Sequence, residues 1–121
     1  MGCEIIYQLL FVHIDNIYII GGEGAVGQNT VEQLGDKNIE RIFGLSRYET
    51  SLEIVKRFES EFTNKVMFAT GTNFPDALAG GVFGAKIKAP LLLTHPNGAI
   101  DEIKNYVLEK DPSTIYILGG K

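Results

Sequence analysis

The sequence predicts an α/β fold, a three-layer module in which helices cover both faces of a central, mainly parallel sheet. Three observations carry this expectation. Five short apolar runs rich in Ile, Leu, Val and Met are separated by segments of helical pattern. The runs alternate little between polar and apolar residues, as strands covered on both faces do. The segments between them are of a length, roughly 10 to 16 residues, that suits the right-handed crossover helices joining parallel strands.

Taken in order, Ile5–Ile14 (IIYQLLFVHI) is apolar but follows Glu4 rather than a basic stretch, and no small-x-small cleavage site comes after it. Residues 1–16 are therefore expected to be a leader without an export signal, either a strand, a poorly ordered segment or a truncation scar. Residues 17–121 are expected to form a single module. Ile17–Ile20 is its first strand and Glu40–Phe43 its second. Ser46 and Glu49 form an S-x-x-E capping box. Behind it Tyr48, Leu52, Val55, Phe58 and Phe62 recur at helical spacing as one apolar face. Lys65–Ala69 is the third strand. Pro75 and Asp76 suit the first turn of the next helix, where proline loses no hydrogen bond and a carboxylate meets the dipole. That helix, to about Ile87, is built from Ala77, Ala79, Gly80, Gly81, Gly84 and Ala85. Each interior glycine costs about 1 kcal/mol against alanine, so a compensating close approach of another backbone is expected along Gly80, Gly81 and Gly84. Pro90–Thr94 and Thr114–Leu118 are the last two strands. The helix Ile100–Leu108 between them has Asp101 and Glu102 early and Lys104 and Lys110 late, matching its dipole.

Composition removes several function classes. With 121 residues, 45% of them hydrophobic, the chain makes one globular domain with a real core. Eleven Lys and Arg against fifteen Asp and Glu give a net charge of −4, the wrong balance for a duplex nucleic-acid binder. No apolar run reaches membrane-spanning length. One cysteine, Cys3, precludes an internal disulfide, and His13 and His95 have no metal-ligand spacing. Neither histidine has a partner suggesting a catalytic triad, and Asp76 is better placed to cap a helix than to act as a base. No catalytic constellation is present, and no cofactor is implied by one.

Two features pull in different directions. Ile17-Tyr18-Ile19-Ile20-Gly21-Gly22 recurs as Ile115-Tyr116-Ile117-Leu118-Gly119-Gly120, a period of about 98 residues. This marks either chance recurrence within one α/β domain or a module of a tandem array. Gly22-Glu23-Gly24-Ala25-Val26-Gly27 matches G-x-G-x-x-G, whose glycines let a backbone approach a pyrophosphate at a helix N-terminus. The acidic residue expected after the second strand is replaced by Ser46-Arg47, which could accept the 2′-phosphate of NADP. An NADP-binding domain is thus one reading, although Glu23 would repel a pyrophosphate. A glycine turn is the other.

Ligands of open α/β sheets bind beyond the carboxyl ends of the strands. Arg47 and Tyr48 follow the second strand, while Thr70, Gly71, Thr72, Asn73 and Asp76 follow the third. Arg47 offers a planar fork for phosphate or carboxylate, or an ion pair with Asp76 or Glu49. Lys86 and Lys88 close the glycine-rich helix, where cations complement its dipole.

Several of these residues fall into spaced motifs. Arg41-Ile42-Phe43-Gly44-Leu45-Ser46-Arg47-Tyr48-Glu49-Thr50-Ser51 resembles the R-I-x-G-x-x-R-Y-x-T-S signature of the type 2 cell-wall-binding repeat. Ala69-Thr70-Gly71-Thr72-Asn73-Phe74-Pro75-Asp76-Ala77-Leu78 is similar to its A-x-G-x-N-F-x-D-A-L block, and Pro90-Leu91-Leu92-Leu93 to its Pro-Ile-Leu-Leu motif. The resemblance implies a Rossmann-like or Toprim-like module that is not an enzyme. It implies a Gram-positive cell-wall or cell-surface location in an exported protein, where modules in threes hold an effector or surface-layer domain on an anionic secondary wall polymer. With one complete copy in the chain, binding is expected to need either two more copies or self-association, the latter into a homotrimer. Arg47, Tyr48, Asn73, Lys86 and Lys88 are the expected polymer contacts. Pro90, Leu91, Leu92 and Leu93 are expected to shape the module or its interface, and neither nucleic acid nor membrane is an expected partner.

Overall fold

The computed structural model describes residues 14–35 and 38–119. The expected leader up to His13, including Cys3, lies outside them, as does Gly120 of the second glycine pair. The chain divides into two compact units at Phe43/Gly44, where the sequence reading treats residues 17–121 as one module.

The first unit is a βαβ arm. Strand β1 (Asn16–Ile20) and strand β2 (Asn38–Ile42) pair in parallel, from Asn16 opposite Asn38 to Ile20 opposite Ile42. Between them lies the short helix α1 (Gln28–Gln33). Ile19, Leu34 and Ile42 are buried. The strand ends in Gly21 at φ +121°, a backbone angle that favours glycine. Gly21 donates its N–H to the Ile42 carbonyl at 2.9 Å, and Arg41 Nη1 donates to the Gly21 carbonyl at 2.7 Å.

The second unit holds α2 (Arg47–Arg57), a 3-10 turn at Glu59–Glu61, β3 (Lys65–Thr70) and α3 (Phe74–Ile87). It continues through β4 (Leu91–Thr94), α4 (Asp101–Lys110) and β5 (Thr114–Leu118). Its strands are all parallel, in the order β4-β3-β5. Alternate side chains of a strand serve opposite faces. Val66 and Leu92 face α2 and α4, in a core with Tyr48, Leu52, Val55 and Ile103. Met67, Leu91 and Leu118 face α3. This unit accordingly has the expected α/β architecture, with helices on both sides of a parallel sheet.

Two expectations are corrected. The strands are not all covered on both faces: on β5, Ile115 is 47% exposed and Ile117 81%. The expected apolar face of α2 also ends early, because the helix stops at Arg57. Phe58 is its C-cap, and Phe62 lies beyond the 3-10 turn. The last helix is fixed from its other side, where Tyr106 donates to Glu59 Oε1 at 3.0 Å and Lys110 pairs with the same carboxylate. Burial, reinforced by the Glu109 charge, pushes the Tyr106 hydroxyl pKa up. Among the described residues no helix is long and apolar enough to cross a membrane.

The capping box forms as its spacing predicts. Ser46 is the N-cap of α2; its Oγ accepts from the Tyr48 N–H at 3.2 Å and donates to the Glu49 carboxylate. That bond, followed by the N–H of Glu49 itself, holds the Glu49 carboxyl below its ordinary pKa. A carboxyl depressed in the folded state stabilises above its unfolded pKa, and the contribution is lost as pH falls through the folded value. Ser46→Ala removes the N-cap of α2 and should cost about 1 kcal/mol at neutral pH. In thermal melts the gap to the parent chain should narrow as acid protonates Glu49.

Candidate functional site

The motif residues after Phe43 are consumed in building one end of the second unit. The Gly44 N–H donates to Thr50 Oγ1 at 2.9 Å, folding the chain tightly into α2. Ser51 Oγ donates to the Tyr48 carbonyl at 2.7 Å and accepts from the Leu93 N–H at 3.0 Å, which ties α2 to β4. Arg47 donates through Nη1 to the Gly71 carbonyl, and among the described residues pairs with neither Asp76 nor Glu49. Tyr48 is buried and its ring lies on that of His95, with centroids 3.9 Å apart. A Cβ at Gly71 would fall 2.8 Å from Tyr48 Cε1 and 2.9 Å from Arg47 Cδ. Glycine at 71 is what lets these two side chains cross the end of β3.

The five expected contact residues fall into two groups. Arg47, Tyr48 and Asn73 lie at the carboxyl ends of the strands, with Asn73 exposed at the start of α3. Lys86 and Lys88 lie at the far end of the same 14-residue helix, about 20 Å away at 1.5 Å per residue. Lys88 caps the helix in left-handed geometry, φ 56° and ψ 41°. A residue other than glycine held there is a strained backbone position of the kind concentrated at binding sites.

Two cavities that share lining residues form a groove between Arg47 and Lys88; Tyr48, Asn73 and Lys86 line neither. A cavity of about 590 Å³ is lined by Arg47, Ser51, Gly71, Phe74, Leu78, Leu91 and Leu93 among others. A second, of about 360 Å³, is lined by Gly81, Gly84, Lys88 and Pro90 among others. Phe62 and Leu91 line both. The Pro90–Leu93 stretch thus divides by strand alternation: Leu92 is fully buried in the core, whereas Leu91 and Leu93 are half-buried in the groove floor. Sequence reasoning missed this floor because it took β4 as covered on both faces. Ser51 and His95 went unassigned, and Gly71 was expected only among the residues following the third strand, because their roles depend on contacts distant in sequence.

The small residues of α3 also divide. Gly80 and Gly84 are buried against the module's own sheet: a Cβ at 80 would fall 2.5 Å from Leu118 Cδ1, and one at 84 would fall 2.8 Å from the Ala89 carbonyl oxygen. Gly81 faces open space. Exposed instead are Phe74 (72%), Leu78 (61%) and Val82 (71%), one apolar stripe at i, i+4, i+8. The glycine loop of the first unit is a closed turn, with the Gly22 carbonyl accepting from the N–H groups of Ala25 (3.0 Å) and Val26 (2.9 Å). Those donors are spent inside the loop, which weighs against a pyrophosphate site. Among the described residues no cluster of His, Cys, Asp or Glu could hold a metal ion.

The model of cell wall binding domain 2 (CWB2) matches residues 41–121. The chain belongs to this family. Similar proteins include the N-acetylmuramoyl-L-alanine amidase LytC of Bacillus subtilis, 30% identical over 107 residues, or 87% of this chain and 21% of LytC. The amidase enhancer of the same organism is 34% identical over 114 residues, 93% of this chain and 15% of its own length. Cwp6 from Clostridium difficile has the same fold at TM-score 0.84 and 26% identity, over 93% of this chain and 18% of Cwp6. The CWB2 chain thus spans about a fifth or less of these proteins. Family membership assigns it a cell-wall-binding role.

Proposed function

We propose that this CWB2 chain is a non-catalytic anchor that holds an anionic secondary wall polymer non-covalently and places its protein on the cell wall or cell surface. The groove from Arg47 to Lys88 carries the proposal. Its apolar floor, Leu91 and Leu93, suits the C–H faces of sugar rings, and cations at its two ends suit phosphate or carboxylate groups along an extended chain. Asn73 and Lys86 flank the two ends, while buried Tyr48 acts by fixing the Arg47 end. An acidic protein can bind a polyanion when its few cations converge on one track.

Each groove is a weak site, and linking sites raises avidity without new contacts. We assign the self-association, in a homotrimer, to the Phe74–Leu78–Val82 stripe together with Gly81; because Phe74, Leu78 and Gly81 also line the groove, the polymer then lies along the border of the subunit contact. Light scattering should give about three times 13.3 kDa, and Leu78→Glu should return the chain to 13.3 kDa; a monomeric parent chain would overturn the trimer. Residues 17–121 act as one binding unit in this proposal.

Lys88→Gly separates binding from stability. Relief of left-handed geometry should stabilise the fold by roughly 1 kcal/mol, while co-sedimentation with purified Gram-positive walls should weaken. Unchanged sedimentation would remove Lys88 from the site.

A further inference from the structure

His95 lines neither cavity of the groove, yet it is held in a fixed pose at the Arg47 end. It follows the last residue of β4, at the carboxyl end of the sheet, and is exposed. Its backbone is locked by a closed turn, His95-Pro96-Asn97-Gly98, in which the N–H groups of His95 and Gly98 each donate to the other's carbonyl at 3.1 Å. Thr94 Oγ1 also donates to the His95 carbonyl, at 3.0 Å. Gly98 takes φ +147°, and proline at 96 fixes its own φ inside the turn. The imidazole lies on the buried ring of Tyr48, with centroids 3.9 Å apart. Both backbone polar groups of His95 are thus engaged, whereas among the described residues neither ring nitrogen has a hydrogen-bond partner.

The charges around this ring come mainly from α2. Arg47 Cδ and Tyr48 Cε1 would both fall within 3 Å of a Cβ at Gly71, so the arginine stem runs beside the tyrosine ring that carries His95. On the other side of Tyr48 in sequence, the Glu49 carboxyl is held below its ordinary pKa, first by the Ser46 hydroxyl and least by the charge of His95. Asp76, on α3, is turned toward β5 instead: its Oδ2 lies 3.7 Å from a Cβ built at Gly119, and β3 separates β5 from β4. With a neutral imidazole, Arg47 and Glu49 cancel. With a protonated one, this end of the groove carries a net positive charge.

We propose that His95 is a pH-sensitive contact for the phosphate or carboxylate groups of the wall polymer, tightening the Arg47 end of the groove in mildly acidic surroundings. The inference rests on the wall-polymer reading of the groove. Imidazole is the side chain that changes charge between about pH 5 and 8. As pH falls through that window, a positive charge and a second N–H donor appear together on a ring already oriented by Tyr48 and the turn. Little further ordering is then needed for it to meet an anion.

The test is co-sedimentation of the full chain with purified Gram-positive walls at about pH 5.5 and about pH 8, at one low salt concentration. The parent chain should bind about three- to fivefold more tightly at the acid end, the effect of one exposed charge contact. His95→Gln should show a flat profile. His95→Arg, charged at every pH, should keep the tighter affinity at the alkaline end. Titration of the polymer itself acts on all three chains alike and cancels in the comparison. Arg47→Glu, run at the acid end, keeps the two readings apart. Undiminished sedimentation of Arg47→Glu overturns the groove reading and the role of His95 with it. Loss of binding by Arg47→Glu, together with parallel pH profiles for the parent and His95→Gln, overturns the role of His95 alone.

Discussion

Leu92→Ala should remove about 2–5 kcal/mol of stability, while Leu91→Ala and Leu93→Ala, one residue either side, should cost less than half as much. Leu92 is fully buried among Tyr48, Leu52, Val55 and Ile103, on elements that pack tightly over β4. A cavity there cannot be filled by water or by easy movement of the helices. Small domains have only about 5–15 kcal/mol in total, so a loss of this size should be plain in denaturant titrations. Leu91 and Leu93 are half-buried and line the groove, Leu93 also packing against the margin of that core. Their truncation should weaken wall binding more than folding. Equal destabilisation by all three would show that the Pro90–Leu93 stretch is wholly structural and that the groove has no binding floor.

Gly44→Ala should cost about 1–3 kcal/mol, an overpacking penalty with no soft neighbour to absorb it. An added Cβ would fall 2.4 Å from Glu49 Cβ, 2.8 Å from the Glu49 carbonyl carbon and 3.0 Å from the Thr50 nitrogen. Two of these atoms belong to the backbone of the first turn of α2, so the turn itself has to move. Moving it also disturbs the Gly44 to Thr50 hydrogen bond and the Ser46 cap. Gly24→Ala is the control, since a Cβ there meets nothing within 4 Å; it should fall within about 0.5 kcal/mol of the parent chain. A Gly44→Ala chain that melts with the parent would mean that α2 is docked more loosely than these distances require.

The fold was largely legible in the sequence because its strongest signals are local. Strand runs found by composition fall within two residues of β1 to β5, and the Ser46 cap was visible as a four-residue pattern. Faces and partners were not legible. A helix of small residues can pack against its own sheet or against another module with the same composition, so Gly80 and Gly84 could not be told from Gly81. Unbroken apolar strands read as covered on both sides, which holds for β3 but not for β5. At the candidate site, Arg47 and Lys88 are 41 positions apart in sequence, and only the packing of β4 beside α2 and α3 makes one groove of them. The division at Phe43/Gly44 carries no local mark in the sequence, since Ile42-Phe43 runs into Gly44-Leu45-Ser46 without a proline- or serine-rich linker.

The most direct measurement of the wall-binding account is co-sedimentation of the chain with purified Gram-positive walls before and after extraction of their anionic secondary polymers. Both preparations are run across a salt series with Arg47→Glu alongside. The account predicts binding to intact walls, loss of binding after extraction, and a steep fall as salt rises, because exposed charge contacts are screened over about 8 Å at physiological ionic strength and over about 3 Å at 1 M. Arg47→Glu should sediment poorly with intact walls. Undiminished, salt-insensitive sedimentation with extracted walls would contradict it, and would assign the groove to the uncharged glycan backbone instead.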